Sequence, residues 1–231
     1  YIDPSADVYR IGCVSGELTA TYGLFVSIVK IGDFESGIGK TKYIEPTPYK
    51  ANYDNMYIEI STDSGSGVTR IKSTRGLKGL SGGYVNRIYK NLDEQRKQEL
   101  LKSVMESKAS NPDYTTLKVM EKSDIDFLKD AEFIIFSDLT TASLIEMAGN
   151  KLLLNFGEII GPQVELYNEE GKERSAESEF NRWYYRRLVF KVPEGYKIMN
   201  PEVADMTISG QSDGETAFGF VSTHTYSGDT Y

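Results

Sequence analysis

Three side chains have the right types for a thiol triad: Asp3, Cys13 and His224. Such a set does nucleophilic acyl chemistry. The imidazole takes the thiol proton, the thiolate attacks a carbonyl, and the carboxylate orients the ring. Cys13 is the only cysteine and His224 the only histidine among 231 residues. Most hydrolytic, redox and metal chemistry near neutral pH recruits one of these two types. A chain this poor in them is not expected to be a complete enzyme of those kinds. Cys13 sits in Arg10-Ile11-Gly12-Cys13-Val14-Ser15, which reads as a strand end or turn. No helix start follows to lower its pKa. His224 is expected on the final strand among Thr and Tyr residues. Both read as structural or surface side chains, with a thiol hydrolase using Asp3, Cys13 and His224 as the rival reading.

Three further patterns invite chemistry. Gly37-Ile38-Gly39-Lys40-Thr41 resembles the tail of a phosphate loop, but that motif needs glycine where Phe34 stands. It also needs a helix, and Tyr43-Ile44-Glu45-Pro46-Thr47-Pro48 follows instead. A flexible turn between strands is expected there. The acidic run at Glu169, Glu170, Glu173, Glu177 and Glu179 lacks the spacing and central glycine of a calcium loop. Lys172, Arg174 and Arg182 interleave it, so a solvated loop is expected and no metal or cofactor is assigned. Arg182-Trp183-Tyr184-Tyr185-Arg186-Arg187 mixes cations with aromatics, as sugar sites and single-strand binders do. On a strand, Trp183, Tyr185 and Arg187 share one face and Tyr184, Arg186 and Leu188 the other. The first set is the candidate binding site, for a peptide or a glycan.

The elements that must position these residues are mostly strands. Gly23 to Ile31 reads as a short apolar strand, and residues 44–52, with two prolines, as a linker or an irregular edge. Met56 to Ser61 and Val68 to Ser73 flank the turn Asp63-Ser64-Gly65-Ser66-Gly67 and predict a hairpin with one wet face. One long helix is expected after Asn91, which is placed to cap it with Glu94 three residues on. Its stripe is Leu100, Leu101, Val104 and Met105. Tyr84 to Lys90 reads as a separate helical turn. Strands follow at 115–122, 131–139, 142–147, 151–156, 183–192 and 217–225, with turns at Gly149-Asn150 and Pro193-Glu194-Gly195. The expected class is mainly β (α+β): antiparallel sheets with one long helix, then a β-sandwich-like C-terminal part. The expected divisions are 1–48 (the end of a preceding core, with linker strands), 49–113 (hairpin plus helix) and 114–231 (sandwich).

Charge narrows the partners. Lys plus Arg total 26 against 34 Asp plus Glu, a net charge of −8. That argues against nucleic acid and anionic membranes. No apolar run reaches the ~20 residues of a membrane-spanning helix. The opening Tyr1-Ile2-Asp3-Pro4-Ser5, without methionine, reads as part of a longer protein. Strands missing after the Ser227-Gly228-Asp229 turn signal would leave an exposed edge, and a homodimer could hide it.

In the C-terminal half, Gly157-Glu158-Ile159-Ile160-Gly161-Pro162-Gln163-Val164-Glu165-Leu166-Tyr167 is followed by a charged loop with Arg174. Glu179-Phe180-Asn181-Arg182 and Val192-Pro193-Glu194-Gly195-Tyr196-Lys197-Ile198 come next. This series resembles the C-terminal region of bacterial transglutaminase-like proteins. Those have an N-terminal domain of unknown function, a central Cys-His-Asp core and a β-rich C-terminal domain. They are typically exported by Gram-negative bacteria. The resemblance implies that Tyr1-Ile2-Asp3-Pro4-Ser5 closes that core, with Asp3 as the triad aspartate and Ser5 where the family has threonine. It places the core cysteine and histidine upstream; Cys13 and His224 match neither. It therefore implies a non-catalytic accessory region of an exported, periplasmic or cell-surface protein, packed on an upstream core.

Overall fold

A computed structural model of the chain describes residues 15–105, 111–125, 132–160, 180–212 and 214–227. In chain order the elements are β1 (Thr21–Ile31), β2 (Phe34–Ile44), β3 (Tyr53–Thr62), β4 (Thr69–Leu77), α1 (Leu80–Lys90), α2 (Glu94–Met105), β5 (Asp113–Val119) and β6 (Phe133–Thr141). There follow β7 (Ile145–Ala148), β8 (Lys151–Leu154), the short helix α3 (Phe156–Ile160), β9 (Trp183–Lys191), β10 (Met206–Ser212) and β11 (Glu215–Ser222).

Alternation builds the central sheet. Along β3, Asp54, Met56, Ile58 and Ile60 are buried, while Tyr57 and Glu59 between them face solvent. This is the two-residue period of a strand with one covered face. β3 and β4 form the expected antiparallel hairpin. Asp63 fastens its turn, accepting the Gly65 amide at 3.0 Å and the Ser66 hydroxyl at 2.7 Å. The full order is β5-β6-β4-β3-β9. Every neighbouring pair is antiparallel except β3 and β9, which run parallel.

The helices cover one face of this sheet. Leu101 and Met105 of α2 and Ile159 of α3 join Met56, Ile58, Ile71, Phe133, Ile135 and Leu139 in one core. Burying each such side chain stabilises by about 1.5–3 kcal/mol. Tyr89 of α1 meets Phe133 edge-on at 5.4 Å, and Phe156 meets Phe190 at 6.2 Å. Among the described residues no second sheet covers the opposite face, where Tyr57 and Glu59 are exposed, and the binding candidates lie there.

Several expectations need correction. The helix expected after Asn91 is α2, but it is not the one helix of its length: the stretch read as a separate turn at Tyr84 to Lys90 is the eleven-residue helix α1, which starts at Leu80. Asp93, not Asn91, caps α2, accepting the Arg96 amide at 2.9 Å. Asn91 ends α1, its side chain donating to the Arg87 carbonyl. Residues 37–41 are not a turn: they lie inside β2, paired with β1. Phe156 begins a helix, not the end of a strand. β10 was not anticipated. In place of a sandwich, helices cover the sheet, and among the described residues no second sheet packs face to face on it. Because β3 and β4 share this sheet with β5, β6 and β9, the boundary expected at 113/114 falls inside one sheet.

Among the described residues, three hairpins form no ladder with the sheet or with one another: β1–β2, β7–β8, whose Leu154 packs against the core, and β10–β11. The Gly149-Asn150 turn joins β7 to β8 as expected, and Gly149 has the positive φ of +65° that such a tight connection asks for.

Candidate functional site

β9 forms an edge of the sheet, and its register decides which side chains meet solvent. Trp183 lies opposite Tyr53, Tyr185 opposite Asn55, and Arg187 opposite Tyr57. These residues share the open face. Trp183 is 39% exposed and Tyr185 40%, so neither belongs to the core. The Tyr185 ring lies 5.7 Å from Tyr57 at 53°, and Trp183 lies 5.7 Å from Tyr49 at 39°. The four rings therefore make a faceted surface, not a flat platform. The Lys50 ammonium lies 5.8 Å from both the Trp183 and Tyr49 rings. Arg187 is exposed and makes no ion pair with a described residue.

Within this face sits a polar group without a partner. Asn55 Oδ1 is the one buried side-chain oxygen or nitrogen among the described residues that lacks a hydrogen bond. Leaving such an acceptor unpaired costs about 1–3 kcal/mol. Its position, between Tyr53 and Tyr57 along β3 and opposite Tyr185, adds a specific feature to the aromatic surface.

Two devices fix β9, and neither was legible as a motif. Beneath the strand, Asp54 takes both Arg75 (2.9 and 2.6 Å) and Arg186 (3.2 and 2.9 Å) in two-pronged contacts. Arg75 also donates to the Val104 carbonyl in the last turn of α2, the end of the helix dipole that favours a cation. One carboxylate thus joins β3, β4 and β9, and through Arg75 the α2 terminus. Burial alone would raise the Asp54 pKa. Hydrogen bonds and charge from Arg75, then Arg186, outweigh it and hold the carboxyl below its ordinary range.

At the start of the strand, buried Asn52 makes three connections. Its carbonyl accepts the Trp183 amide at 2.9 Å, and its Nδ2 donates to the Asn181 carbonyl at 3.2 Å. Its Oδ1 accepts the Leu80 amide at 3.0 Å, capping α1 from a distance. Gly79, at φ +70°, makes room for this: a Cβ there would come within 2.2 Å of Asn52 Oδ1 and 2.5 Å of the Ala51 carbonyl.

Of the triad candidates, Asp3 and Cys13 lie outside the described residues, as does the acidic run 169–179. His224 lies beyond the end of β11, not on it. Its Nδ1 is 2.8 Å from Asp205 Oδ1, which also accepts the His224 amide. These bonds, the side-chain one first, lower the Asp205 pKa. Among the described residues, no group of three or more His, Cys, Asp or Glu is placed to hold a metal ion. No helix there is long and apolar enough to cross a membrane, which says nothing of strands.

The chain finds no match among protein-family models, curated proteins or solved structures.

Proposed function

We propose that this chain is a non-catalytic interaction region whose binding surface is the open face of β9 and β3. Trp183 and Tyr185 supply its apolar contacts and Arg187 its charge. One observation carries this reading: a sheet edge turns two aromatic rings and an arginine without an ion pair among the described residues to solvent together. Core demands do not explain that arrangement, because the core lies on the other side of the strand. The sequence resemblance supports placing the region beside an upstream transglutaminase-like core in an exported protein. Peptides and glycans are the ligand classes that aromatic surfaces with a cation suit.

The chain contains a single tryptophan, so its emission reports on this face alone. Titration with a chito-oligosaccharide, a cello-oligosaccharide and short blocked peptides is expected to shift that emission for at least one class, and Tyr185→Ala should weaken the response. Silence across all probes would overturn the reading. The purified chain is also expected to show no amide hydrolysis or acyl transfer. Turnover abolished by Cys13→Ser would favour the thiol hydrolase instead.

A further inference from the structure

The partner class of this surface follows from the backbone beside it, and this step rests on reading the β9 face as a binding site. The Trp183 amide points to β3, where it meets the Asn52 carbonyl. In a strand, successive residues direct their backbone groups to opposite edges. Tyr184, Arg186, Leu188 and Phe190 therefore point their N–H and C=O groups away from β3. Among the described residues no strand pairs with that edge. An edge of this kind is a template for an added strand.

Charge selects what would be added. The chain is net negative, at −8, yet β9 carries Arg187 and Lys191 on its open face and follows directly on Arg182. Lys50 stands over Trp183. Glu59 on β3 is the acidic side chain of this face nearest β9. Cross-strand neighbours of opposite charge stabilise pairing, and like charges oppose it. We infer that β9 is extended by an acidic peptide segment in extended conformation. Its backbone pairs with Tyr184 to Phe190, its carboxylate side chains lie toward Arg187, and its apolar side chains lie against Trp183 and Tyr185.

The probe is a short blocked peptide of Val, Glu and Thr in which every second residue, the set meant for the open face, runs from Val at one end to Glu at the other with Thr between, followed by Trp183 emission and by amide hydrogen exchange. Binding should weaken about tenfold when its Glu residues become Gln, and by a similar factor with Arg187→Gln in the protein. N-methylation of alternate peptide amides should abolish it without touching the protein. The Tyr184, Arg186 and Leu188 amides should exchange more slowly in the complex. Emission changes with a glycan but no peptide would overturn strand addition while leaving the binding face standing. So would peptide binding that ignores charge and N-methylation, or that leaves those amides unprotected. Slowed exchange at the same amides with rising protein concentration alone would assign the edge to a second copy and overturn the peptide. No response to any probe would defeat both readings.

Discussion

The hairpins β1–β2 and β3–β4 are built alike and end differently. Both are long antiparallel pairs with turns made by glycine or by an Asp side chain. β3–β4 gains a strand on either side and helices beneath, so Ile58 is only 2% exposed. Among the described residues β1–β2 gains neither, and Ile28 is 76% exposed, with Leu24 and Val26 beside it on the same strand face. Across from them, Gly37 and Gly39 carry no side chain. Leu24 and Val26 lean over that space, so a Cβ at Gly39 would approach Leu24 to 3.1 Å. Apolar alternation therefore reports a strand without saying which face finds cover. A lone two-stranded hairpin is marginal in water, so the stability of this chain is concentrated in the five-stranded sheet and its helices.

Breaking the Asp54 contacts should show that concentration most strongly. Asp54→Ala leaves two largely covered guanidinium groups without their carboxylate, Arg75 keeping the Val104 carbonyl and Arg186 those of Asp54 and Tyr185, and is expected to destabilise by about 3 kcal/mol in urea unfolding. A loss below ~1 kcal/mol would mean that the ion cluster does not hold β9. The hairpins can next be compared directly. Ile58→Ala should cost about 2–5 kcal/mol, and Ile28→Ala less than about 0.5. Equal losses would break the comparison by showing β1–β2 covered in solution, and dependence on protein concentration would name a second copy as the cover. Gly79→Ala, strained by its positive φ and the Ala51 carbonyl, should cost about 1–3 kcal/mol. Asn55→Val removes the orphaned acceptor and should raise stability by about 1 kcal/mol while altering ligand response at Trp183.

The Asp54 contacts also respond to acid. The folded Asp54 pKa is depressed, so its contribution is complete above the unfolded value near ~3.9 and fades as pH falls through the folded one. Asp205 beside His224 has the same sign. The stability gap between the native chain and Asp54→Asn should therefore narrow below about pH 4, as read by urea midpoints. A gap that widened in acid would contradict the assigned direction.

Much of the sheet was legible because its strands alternate. Met56 to Ser61, Val68 to Ser73 and the 183–192 run all stand where the sequence put them, within a few residues. The shared face of Trp183, Tyr185 and Arg187 follows from the same period. What was hidden depends on partners distant in the chain. The Gly-rich 37–41 stretch forms a strand because β1 supplies its ladder, overriding weak local preference. Asn91 lost its capping role because Asp93 stands directly before Glu94. Asn52 and Gly79 carry no motif at all; their importance lies in meeting Leu80 and Trp183 in space. The Asp54 cluster joins residues from three strands, and no spacing rule announces it.

The proposed binding surface requires that Trp183, 39% exposed at the start of the edge strand β9, be reachable from solvent. Acrylamide quenching of its fluorescence tests that most directly, in the free chain and with the peptide probe added. The account expects efficient quenching in the free chain and clear protection when the peptide binds. A blue-shifted emission that resists acrylamide before any ligand is added would place the ring in an apolar interior and contradict it.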